Sequence, residues 1–181
     1  MHALTTALLG FLLITGAGTA DASSLPGING PEYTVGMTAY NATPAQTDED
    51  PETTASGAFS DPNIIAARSQ DLASELPFGT VIAIEAATSS PSCGYDRVGQ
   101  LIGLRVIADT MNARMHNKVD ILMPQEEKLP SGKTGNPALI LGLCKDVIIK
   151  VIGRVDVATI PATQSGLVAA LNAPEKLASA K

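Results

Sequence analysis

Few side chains in this 181-residue chain are equipped for covalent or acid-base chemistry, and most of those are quickly set aside. There are two histidines, and His2 lies ahead of an apolar N-terminal run, leaving His116 alone in the body of the chain. No Gly-x-Ser-x-Gly turn is present to display a serine, and with one histidine left the chain gives little support to a Ser-His-Asp arrangement. Cys93, Cys144 and His116 do not form a zinc-ligand pattern, and no metal or other cofactor is expected. Gly132-Lys133-Thr134 resembles the end of a phosphate loop, but that loop needs a glycine five positions earlier, where Glu127 stands. What remains is carboxylates. Asp109 and Asp120 flank a polar loop, and paired carboxyl groups at a groove are suited to acid-base work on glycosidic bonds.

Two short strands must position that pair, Leu104 to Ala108 and Val119 to Met123. Alternation along the second puts Val119, Ile121 and Met123 on one face and Asp120 with Leu122 on the other. Aspartate is depleted in strands and rarely buried without a partner, so a mid-strand Asp120 needs compensation. Two readings fit: an edge-strand carboxylate facing water, or a carboxyl group retained in an apolar setting for its chemistry. Further strands are expected at Tyr33 to Tyr40, with Tyr33, Val35, Met37 and Ala39 sharing a face, at Phe78 to Ala86, and at Val147 to Val157. Ile64 to Ala67 reads as either strand or helix. Asn41 to Ser60 and Gln125 to Pro137 read as loops, and a short helix is expected at Gly166 to Leu171. Several strands with turn-rich connections and little helix describe a mainly β, small barrel.

Composition fits one globular domain, with 45% hydrophobic and 17% charged residues and a core built without tryptophan. A net charge of −6 argues against nucleic acid as a partner. Residues 1–22 read as a secretory signal peptide, with an apolar run from Ala7 to Ile14 and an A-x-A site at Ala20-Asp21-Ala22; a buried N-terminal helix or an uncleaved anchor is the competing reading. Residues 23–32 form a leader, and no later run is apolar enough to span a membrane. In an exported chain two cysteines favour a Cys93–Cys144 disulfide, with two reduced thiols as the competing reading.

A family resemblance rests on fragments in a fixed order: Thr38-Ala39-Tyr40, Thr54-Ala55-Ser56-Gly57, Ser69-Gln70-Asp71-Leu72, Leu76-Pro77-Phe78-Gly79-Thr80, and the segment opened by Asp109-Thr110 and closed by Val119-Asp120-Ile121. In this order they resemble the three-aspartate domain, whose six-stranded double-psi β-barrel looks like the catalytic barrel of the MltA-type lytic transglycosylases. The resemblance covers residues 33–160, leaving 161–181 as a C-terminal tail, and Thr88 to Gln100 resembles an insertion found in Gram-negative members. It implies an enzyme of the bacterial periplasm or envelope that cleaves peptidoglycan between N-acetylmuramic acid and N-acetylglucosamine.

By resemblance Asp120 is the acid and base, and Asp109 and Asp71 position substrate or raise the Asp120 pKa. Thr54, Ser56 and Tyr40 would approach the groove. Many muralytic members carry a Gly-Gly-Ala-Ile-Lys-Gly-like loop after the second aspartate. This chain has Met111-Asn112-Ala113-Arg114-Met115 instead, in which Asn112 and Arg114 would bind sugar hydroxyls or the muramyl carboxylate. The alternative is a noncatalytic glycan-binding or structural barrel of the cell envelope, because fold does not fix function.

Overall fold

The computed structural model describes residues 30–47, 50–86 and 91–173. The expected signal peptide and most of the leader lie outside the described residues. The chain is mainly β. Strands β1 (Glu32–Tyr40), β2 (Ile65–Arg68), β3 (Thr80–Ala86), β4 (Arg105–Thr110), β5 (Lys118–Leu122) and β8 (Cys144–Arg154) close into a six-stranded barrel. Strands β6 (Glu127–Lys128) and β7 (Thr134–Gly135) form a small separate hairpin, and three short helices are α1 (Tyr95–Val98), α2 (Pro137–Leu141) and α3 (Gln164–Asn172). Among the described residues no helix is long and apolar enough to cross a membrane.

Around the barrel the order is β1-β5-β2-β4-β3-β8, so most neighbours in space are not neighbours in sequence. β1 pairs with β5 and β2 with β4 in parallel, while the remaining contacts are antiparallel. Closure leaves no free sheet edge, which disposes of the edge-strand reading of Asp120. The ambiguous Ile64 to Ala67 piece is strand β2, held between β4 and β5.

Alternate residues on the six strands pack into two apolar clusters, one on each face of the sheet. Val35, Met37, Ala66, Ile82, Ile107, Val119, Ile121, Val147 and Ile149 belong to the first. Tyr40, Ile65, Ala67, Val81, Val106, Ala108 and Leu122 belong to the second. α1 and α2 cover the first cluster through Val98 and Leu141. The Cys93–Cys144 disulfide joins the insertion that carries α1 to the first residue of β8. Asn136 caps α2, its side-chain oxygen accepting the N–H groups of Ala138 and Leu139, with Pro137 in the first turn. This helix begins at the last residue of the expected Gln125 to Pro137 loop, and the cap and proline are its sequence signal.

The expected short C-terminal helix is α3, and it is docked on the barrel. Leu167 of α3 is fully buried in the second cluster. The Gln164 side chain accepts from the Leu104 N–H and donates to the carbonyls of Leu104 and Asn63. β8 keeps the expected alternation up to Val151. Ile152 follows on the opposite face, in the second cluster; a register shift leaves it opposite no residue of β3 and brings Gly153 onto the same face beside Val81, and the strand ends at Arg154 instead of Val157.

Candidate active site

The parallel and antiparallel pairings of β5, β2 and β4 set four residues side by side across four strands. Thr38 of β1 faces Asp120 of β5, Asp120 faces Ala67 of β2, and Ala67 faces Asp109 of β4. Simple alternation would put Asp109 on the face of Ile107, away from Asp120. The register between β2 and β4 shifts at this point: Ala66 pairs with Ile107 and Ala67 with Asp109, leaving Ala108 as an extra residue. Such a bulge re-aims the following side chain, here Asp109, onto the face occupied by Asp120. The carbonyl of Ala108 accepts the Ser56 N–H at 3.1 Å, which ties the bulge to the Thr54–Gly57 turn. Asp109 is therefore part of strand β4 and not, as expected, the first residue after it.

Both carboxyl groups open onto a cleft of about 570 Å³, with Tyr40, Gln46, Thr53, Ser60, Asn112 and Arg114 among its walls. Three donors converge on Asp109: the Tyr40 hydroxyl at 2.9 Å on Oδ2, and the N–H groups of Ala55 at 2.9 Å and Thr110 at 2.8 Å on Oδ1. Asp120 has a different environment. Its Oδ1 accepts from the Thr38 hydroxyl at 2.7 Å, and among the described residues nothing donates to Oδ2. Among the described residues no side-chain oxygen sealed from solvent lacks a partner, so Oδ2 opens into the cleft.

Burial pushes the Asp120 carboxyl up to about 6. The Thr38 hydrogen bond and the Lys118 charge pull it down, and the Asp109 charge raises it further. Burial, followed by the charge of Asp109, holds the Tyr40 phenol well above its ordinary range, so Tyr40 is a fixed donor. Arg105, which is fully buried, donates to the carbonyls of Ile102, Pro62 and Leu122. Burial brings its guanidinium down to about 10, still positively charged near neutral pH.

The remaining expected site residues separate into two groups. Tyr40, Asn112 and Arg114 line the cleft together with Asp109 and Asp120. Thr54 and Ser56 do not. Their hydroxyls lie 3.0 Å apart and bond each other, and Thr54 Oγ1 also accepts the Ala58 N–H, so both are used within the turn. The turn nevertheless reaches the site through the backbone of Ala55. Asp71 is also absent from the cleft wall. It accepts the Asn117 N–H at 2.9 Å and lies 4.0 Å from His116, at the entry to β5. Hydrogen bonds from Ser69 and Asn117 hold its carboxyl below the usual carboxylate range. The His116 side chain is 72% exposed, as a loop position suggests.

Three contributors escaped the sequence reading: Thr38, Ala67 and the Ala55 N–H. Alternation along β1 places Thr38 with Tyr40, opposite Val35 and Met37, but only the parallel β1–β5 pairing aims it at Asp120. No group of three or more His, Cys, Asp or Glu side chains is gathered to hold a metal among the described residues. No protein-family model and no curated protein matches the chain.

Proposed function

We propose that this chain is a peptidoglycan-cleaving enzyme of the lytic transglycosylase type, with Asp120 as its acid and base. The observation that carries the reading is the Asp120 carboxyl itself. It is partly buried, its Oδ1 is engaged by Thr38, its Oδ2 is open to the cleft, and its pKa is raised to about 6. A carboxyl group so placed keeps a proton on Oδ2 at mildly acid pH and can donate it to a bound group. The expected kinship with three-aspartate double-psi barrels belongs to the same proposal, supported by the closed six-stranded topology and by Asp109 and Asp120 sharing one cleft. Export to the periplasm of a Gram-negative bacterium also belongs to it, and the Cys93–Cys144 disulfide suits an oxidising compartment.

In the proposed reaction Asp120 Oδ2–H protonates the oxygen bridging N-acetylmuramic acid and N-acetylglucosamine as the C1–O bond breaks. The leaving sugar keeps that proton as its hydroxyl. The resulting Asp120 carboxylate then takes the proton of the muramyl C6 hydroxyl, whose oxygen bonds to C1 and closes a 1,6-anhydro ring. Asp120 ends protonated, ready for another cycle, and no water is consumed. Asp109, held by three donors, faces the positive charge that develops at C1 and raises the Asp120 pKa. Ala67 between them contributes only a methyl group, so the floor of the cleft stays open where a sugar ring would lie. Asp71 has a positioning role in this reading, holding the loop at the start of β5.

Digestion of purified peptidoglycan, followed by mass analysis of the fragments, tests the proposal. Anhydro-ended fragments that disappear with Asp120→Asn are the expected result. Reducing ends would replace the transglycosylase with a hydrolase, and glycan binding without cleavage would leave a noncatalytic binding barrel.

A further inference from the structure

The cleft has a feature that acid-base chemistry at Asp120 does not use. Arg114 is the only basic side chain lining it among the described residues, and no described residue makes a hydrogen bond or ion pair with its guanidinium. The backbone around it is ordered: the Arg114 N–H donates to Asn112 Oδ1 at 3.1 Å, and the Met115 N–H donates to the Asn112 carbonyl at 2.9 Å. Met111 and Met115 also line the cleft, adding adaptable apolar surface to its wall.

Resting on the proposed glycan-cleaving role, we propose that Arg114 is a specificity-determining residue that binds a carboxylate carried by the glycan substrate. A guanidinium presents paired N–H donors that match the two oxygens of a carboxylate, and this pairing is stronger than neutral hydrogen bonds. The charge of the cleft favours a monoanion. Asp109 and Asp120 stand in the same cavity, and a doubly charged phosphate would meet their repulsion with only one cation to offset it. Two groups in peptidoglycan supply such a carboxylate: the lactyl ether of a muramyl residue stripped of its peptide, and the free acids of the stem peptide. The methionines that line the same cleft offer apolar surface for the lactyl methyl group. A substrate with a free lactyl acid has to be supplied by a reaction that hydrolyses the amide between muramic acid and peptide.

The test uses the Asp120→Asn chain, so that oligomers are bound and not consumed, with and without Arg114→Gln and Arg114→Lys. Calorimetric titration compares three probes: a peptide-free glycan oligomer, the same oligomer with its lactyl acids converted to methylamides, and an oligomer carrying intact stem peptides. The free-acid oligomer is expected to bind about tenfold more tightly than the methylamide, as a charge-assisted hydrogen bond supplies. Arg114→Gln should abolish that difference and Arg114→Lys should retain part of it. If the peptide-bearing oligomer alone loses affinity in Arg114→Gln, the carboxylate recognised is that of the peptide. Equal binding of all three probes, unchanged by Arg114→Gln, overturns the assignment while leaving the glycan cleft intact. Failure of every oligomer to bind overturns both the assignment and the glycan-cleaving role on which it rests.

Discussion

The two aspartates are the same residue type, yet their surroundings give them opposed capacities, and the difference can be measured residue by residue. Asp120 must be protonated to act as an acid, so the rate of glycan cleavage is expected to fall above pH about 6, roughly tenfold per unit. Thr38→Val removes the hydrogen bond that favours the ionised form and should move this limb to higher pH; Asp109→Asn removes a neighbouring charge and should move it lower. A pH–rate profile for each variant checks the signs, and limbs unmoved by both changes would show that Asp120 does not control the rate. The same shift affects stability. Because the folded Asp120 binds its proton more tightly than the unfolded one, stability declines as pH rises from about 4 to about 6. Above that window Asp120→Asn should recover on the order of 2–3 kcal/mol, seen as a higher urea midpoint at pH 7 but not at pH 3.5.

At the scale of elements, the site depends on where the strands depart from regularity. The extra residue in β4 brings Asp109 round to Asp120, and the Thr54–Gly57 turn holds both the bulge carbonyl and Asp109 Oδ1. Gly57 closes that turn with φ +84°, in the left-handed region, and a methyl group there would meet no neighbour within 4 Å. Gly57→Ala should therefore cost only the backbone strain, about 1 kcal/mol. Gly79, with φ +87°, differs because a methyl group would run into the Val155 carbonyl. Gly79→Ala should cost clearly more than Gly57→Ala. Denaturant midpoints of the two variants give the comparison, and equal losses would contradict the contact at Val155. Alternation alone would have predicted Asp109 facing away from Asp120, because period-2 reasoning cannot see a bulge.

Across the whole molecule, the barrel is closed by pairings between distant segments, and the disulfide spans 51 residues containing α1, β4, β5 and the β6–β7 hairpin. The chain-entropy view assigns a bridge of that span on the order of 4 kcal/mol. The Cys93→Ser/Cys144→Ser chain should lose about this much stability, while the folded fraction keeps the pH–rate limb of the parent. A shifted limb would show that the bridge also shapes the cleft. By itself the sequence determined most of the long strands and the mid-strand position of Asp120 with Leu122 on its face, and it favoured the cysteine pairing and spoke against a serine triad, because periodicity and residue type are local properties. Tertiary structure alone decided which aspartates meet. Asp109 and Asp120 converge because β2 lies between β4 and β5 and the β4 register slips by one residue, whereas Asp71 is held by Asn117 at the entry to β5. The raised pKa of Asp120 is likewise a property of enclosure: neighbours in sequence supply the apolar side chains, but only closure of the sheet removes the water.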